Sequence, residues 1–135
     1  KKKTINDVGL IKIYINDEFM FYNVFPRMIP KSELKGNINN ECFIYGYTCD
    51  NNDDNILSGM NGKYYFESNK YTNEYINYDI KTSGGQCGSA IFTYNNNIIG
   101  IHTDKHGILL TKAKIEWINN IIFDDETSNK ISYQY

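Results

Sequence analysis

Apolar residues gather along this chain in short stretches separated by polar, asparagine-rich ones: 8–15, 42–47, 55–60, 63–67, 74–80, 89–94, 98–103 and 107–111. Each stretch is of strand length and rich in Ile, Tyr and Phe, which suit a pleated, half-buried surface. The pattern therefore predicts eight strands. The asparagines at 51–55 and 95–97 mark turns and loops, because asparagine tolerates left-handed backbone angles. "MNGKYY" from Met60 and "TYNNNIIG" from Thr93 place turn residues between two such stretches, so each predicts a hairpin.

The C-terminal part follows another period. Ala113, Ile115, Trp117, Ile118, Ile121 and Ile122 recur at spacings of three and four behind Thr111, which predicts a helix capped by that threonine. Beyond it "DDETSNKISYQY" has no period and reads as a tail. The polar segment 31–40, punctuated by Pro30 and Gly36, reads as a connection between two β units. Many short strands with frequent turns and one late helix predict an antiparallel barrel or sandwich with the helix outside.

Composition supports this picture. A length of 135 residues suits one small domain with one main core, and twelve tyrosines lean the hydrophobic 41% towards strands. The net charge of −2 and the scattered lysines leave no basic stripe, so a nucleic-acid partner is not expected. No apolar run approaches the roughly 18 residues of a membrane helix, and no secretory signal opens the chain, so no membrane partner is expected.

The three cysteines are Cys42, Cys49 and Cys87, and none is spaced as a CxxC ligand pair. No metal or other cofactor is expected. Cys42 and Cys49 either bridge across a bend or stand as buried thiols.

Cys87 sits in "KTSGGQCGSAIF", among three glycines. A thiolate attacking a carbonyl needs backbone N–H groups aimed at the developing oxyanion, and glycines let such groups approach closely. The N–H groups of Gly85 and Cys87 would form that hole if the loop turns sharply. The competing reading is a glycine-rich β-turn around a buried cysteine.

"YDIKTSGGQCGSAIFTYNNNIIGIHT" resembles the nucleophile region of chymotrypsin-like proteases, and within them the glutamyl endopeptidases of the staphylococcal type. The nucleophile in that family is serine, where Cys87 stands here. The picornaviral cysteine proteases are similar in this respect, with the same fold, a Gly-x-Cys-Gly nucleophile and a comparable Gly-Ile-His strand. "NDVGLIKI" from Asn6 resembles the strand that carries the catalytic aspartate, and "TKAKIEWINNII" the closing helix.

The resemblance implies an all-β fold, a chymotrypsin-like antiparallel β-barrel with a C-terminal α-helix. Residues 1–30 would end a first barrel, 31–40 connect the barrels, 41–123 form the second barrel and helix, and 124–135 be a tail. It implies a cysteine endopeptidase in which Cys87 attacks, Gly85 and Cys87 hold the oxyanion and Asp7 orients a histidine. Thr82 and His102 would line the pocket for the side chain before the scissile bond, implying Glu or Gln there. Read on their own, Asp7 is a turn residue, and Thr82 and His102 are ordinary strand residues. His106 reads as a loop residue.

In this fold the base is a histidine preceding the aspartate, and none of the residues before Asp7 is histidine. His102 and His106 follow the nucleophile on strands facing the specificity pocket or its rim. The expectation is a two-chain enzyme, cleaved between histidine and aspartate, whose N-terminal half supplies the base and completes the first barrel over a protein or peptide substrate. A fragment, a pseudoprotease that only binds peptides and a purely structural β-domain are the other readings.

Overall fold

The computed structural model describes residues 9–11, 26–34, 40–49, 55–66, 74–104 and 106–123. Among them are six strands: β1 (Glu41–Cys49), β2 (Asn55–Tyr65), β3 (Tyr75–Tyr78), β4 (Ala90–Thr93), β5 (Ile98–His102) and β6 (Gly107–Leu109). One helix, α1 (Lys112–Phe123), follows.

All the strand pairings are antiparallel, and the strands close into a barrel in the order β1-β2-β3-β6-β5-β4. The first three strands are neighbours in sequence order, whereas β4 returns to lie beside β1, with Ile44 opposite Ile91. That is a Greek key, and its long return, residues 79–89, crosses one end of the barrel. Closure removes the sheet edges that an open array of this size would leave.

Side chains alternate as a half-buried sheet requires. Along β1, Cys42, Ile44 and Thr48 point inward, while Tyr45, Tyr47 and Cys49 face out. The centre of the barrel is filled by Ile44, Ile76, Ile91, Ile99 and Leu109. Gly107 leaves room there: a Cβ at this position would meet Ile91 and lie 2.7 Å from Ile76 Cγ2.

The predicted hairpin at "MNGKYY" does not form. Stretches 55–60 and 63–67 belong to one strand, β2, which pairs with β1 without a break from Asn55 opposite Cys49 to Lys63 opposite Glu41. Asn61 and Gly62 are ladder residues opposite Phe43 and Cys42, because a nine-pair ladder outweighs a local turn preference. The hairpin at "TYNNNIIG" does form: β4 and β5 pair, with Asn96 at φ 57° in the turn. Stretch 8–15 lies largely outside the described residues.

Cys42 and Cys49 share β1, where a seven-residue separation corresponds to roughly 23 Å and opposite faces, so no bridge joins them. Cys42 is a core thiol, whereas Cys49 is exposed and so departs from the buried-thiol reading.

Residues ahead of β1 pack onto the barrel as well. Arg27 to Ile29 bond to Ile98 (Ile98 N to Arg27 O 2.8 Å, Ile29 N to Ile98 O 3.0 Å), and Ile29 joins the core. A 3₁₀ turn at Lys31–Leu34 then buries Leu34. Helix α1 begins as predicted behind Thr111, whose Oγ1 accepts the Lys114 N–H at 3.3 Å, and it docks through Ile118.

Candidate functional site

The Greek-key return carries the glycine-rich segment, and five hydrogen bonds fix its path. Asp79 leaves β3 with its carboxylate accepting the Lys63 N–H at 2.6 Å. Gly84 O accepts the N–H of Cys49, at the end of β1, at 2.9 Å. Gln86, fully buried, turns its side chain under the loop, where Oε1 accepts the Ser83 N–H at 2.9 Å. Gly88 donates to His102 O at 2.8 Å, and His102 N returns a bond of 2.8 Å to Ser89 O.

Within that frame Ser89 N bonds to Gln86 O at 3.1 Å, closing a turn with Cys87 and Gly88 at its tip. Cys87 is exposed, which sets aside the buried-cysteine reading. Gly85 and Gly88 both have φ +91°. At Gly85 the space is also taken, since a Cβ would lie 3.0 Å from Tyr47 O and 2.8 Å from Cys49 Sγ. Only glycine satisfies both conditions there.

Among the described residues the N–H groups of Gly85 and Cys87 make no backbone hydrogen bond, although their neighbours Gly88 and Ser89 do. Two free amides two residues apart, one of them on a glycine of positive φ, are the kind of backbone group that receives an anion.

Behind the loop lies a second cluster. His102 is only 2% exposed, and its Nδ1 is hydrogen-bonded to the Tyr78 hydroxyl. Burial, with help from nearby Cys42 and Cys87, raises the Tyr78 phenol pKa, so this group keeps its proton. Burial lowers the His102 pKa from 6.5; Asp104 opposes this and His106 reinforces it. His102 is a neutral imidazole at neutral pH.

The remaining sequence-derived residues fall as follows. Thr82 is half-buried on the approach to the loop, and no hydrogen bond joins it to His102 among the described residues. His106 lies in the β5–β6 turn, its ring edge-on to Tyr75 at 4.6 Å and its carbonyl accepting from Thr103. Asp7 lies outside the described residues. No group of three or more His, Cys, Asp or Glu side chains able to hold a metal occurs among the described residues.

Three participants were not singled out from sequence: Gln86, Tyr78 and Cys49. Gln86 carried a signal, since a glutamine wedged between glycine and cysteine in a tight loop has little reason to be there unless its amide satisfies the loop backbone. Tyr78 and Cys49 carried none, because both reach the site only through barrel closure.

No protein-family model matches the chain, and no curated protein matches it.

Proposed function

We propose that this chain is the C-terminal part of a chymotrypsin-like cysteine endopeptidase. Cys87 is the nucleophile, the N–H groups of Gly85 and Cys87 hold the oxyanion, and Thr82 and His102 receive the side chain before the scissile bond. Asp7 orients a histidine base that an N-terminal segment or partner chain supplies. The observation that carries this reading is the pair of unbonded amides of Gly85 and Cys87 beside an exposed thiol, on a loop that Gly84, Gln86 and Gly88 tie to the barrel and to itself.

The state of His102 narrows the substrate. A neutral imidazole can hydrogen-bond a carboxamide, whereas a carboxylate would enter without a countercharge from this ring. Glutamine is therefore the preferred residue, ahead of glutamate.

A second reading is favoured by the histidine inventory. The chain holds two, His102 engaged with Tyr78 and His106 against Tyr75, so neither stands as a free base for Cys87. A peptide-binding module without turnover fits that count.

One experiment separates them. A peptide containing a single glutamine is incubated with the chain completed by the histidine-bearing N-terminal segment, and with the same assembly carrying Cys87→Ala, recording binding by calorimetry and cleavage by mass spectrometry. Cleavage on the C-terminal side of glutamine, lost in Cys87→Ala while binding persists, supports the endopeptidase. Equal binding without cleavage supports the module. No binding by either protein overturns both.

A further inference from the structure

Cys49 is the feature that the proposed chemistry leaves unused. It ends β1 as an exposed thiol, yet it belongs to the nucleophile loop in space: its N–H holds Gly84 O at 2.9 Å. Its Sγ occupies the place where a side chain on Gly85 would project, 2.8 Å from an ideal Cβ. Gly85 and Cys87 are two residues apart, so their Cα atoms are separated by about 7 Å at most. The intervening loop is flanked by Gly85 and Gly88, the two positions of positive φ where backbone rotation is least hindered. Cys42, the third thiol, is fully buried in the barrel and its pKa is pushed up to about 12 by that burial and by Asp79, so it takes no part.

We infer that Cys49 is a resolving thiol for Cys87, so that peroxide converts the pair to a reversible Cys49–Cys87 disulfide that masks the nucleophile. The thiolate of Cys87 attacks one oxygen of hydrogen peroxide, and the O–O bond breaks with hydroxide leaving. This gives a sulfenic acid on Cys87. The thiolate of Cys49 then attacks that sulfur; the S–O bond breaks, hydroxide leaves, and the S–S bond forms. Two thiols lose two electrons and two protons, and peroxide is reduced to two molecules of water. The disulfide requires the loop to rotate at Gly85 and Gly88 so that the Cα atoms come within roughly 4.4–6.8 Å of each other. Because the product is covalent, its formation does not depend on whether the site cleaves peptides.

The test is peroxide titration of the full chain followed by intact mass and peptide mapping, with Cys49→Ser in parallel. The expected result is a loss of two hydrogens per chain, a mapped link between Cys49 and Cys87, and full recovery with dithiothreitol. In Cys49→Ser the link is absent and Cys87 gains two oxygens as sulfinic acid, which dithiothreitol does not reverse. Three outcomes would overturn the inference: sulfinic acid on Cys87 in the unaltered protein at the same peroxide dose, a link that includes Cys42, or a link between two chains.

Discussion

Gly85 and Gly88 share a backbone angle of φ +91° but need it differently. At Gly88 nothing lies within 4 Å of an added Cβ, so alanine meets only the backbone penalty, about 1–2 kcal/mol. At Gly85 the same Cβ also presses on Tyr47 O and Cys49 Sγ, and backbone must move. Thermal melts of Gly88→Ala and Gly85→Ala should therefore both fall, Gly85→Ala further; equal losses would mean that the loop is free of β1. His102 makes a pH-dependent contribution of definite sign. Its folded pKa is lowered, so the unfolded chain takes up a proton first as pH falls through about 6.5. Stability is greatest above that pH and declines below it, by up to about 1.4 kcal/mol per pH unit until the folded-state pKa is reached. Urea midpoints at pH 7 and pH 5.5 should show a larger acid loss in the native protein than in His102→Gln; matching slopes would assign the loss to other groups.

At the scale of elements, the ladder and the barrel interior set the terms. Asn61-Gly62 has the composition of a tight turn, yet the unbroken pairing of β2 with β1 keeps it extended. The hairpin between β4 and β5 survives because its asparagines lie where the strands end. Inside the barrel, Gly107 accommodates Ile91 and Ile76 from facing strands. Gly107→Ala should cost about 1–3 kcal/mol through overpacking, and adding Ile91→Val, which removes the opposing methyl, should recover part of it. Additive costs in a double-mutant cycle would show that the two positions do not meet.

For the whole molecule, the proposed chemistry divides between this chain and a histidine from elsewhere. With the chain by itself, iodoacetamide should label Cys87 no faster than Cys49 and should spare Cys42, which is buried. When the histidine-bearing N-terminal segment is present, Cys87 labelling should accelerate selectively, by roughly tenfold or more if general-base assistance is of ordinary size. Unchanged labelling in its presence would favour the binding module.

The sequence by itself determined the β character, six described strand positions, the β4–β5 hairpin, the helix with its Thr111 cap and the glycine frame around Cys87. These features depend on residues near one another in the chain: apolar period, turn chemistry and cap spacing. Only the tertiary structure decided that "MNGKYY" stays extended, that Cys42 and Cys49 lie on opposite faces of one strand, and that Cys49 meets the nucleophile loop. It also decided that Tyr78 is hydrogen-bonded to His102 and that Gln86 braces the turn from inside. Each of these depends on which strands become neighbours when the barrel closes. Strand order is set by the summed burial of side chains far apart in sequence, which no local pattern encodes.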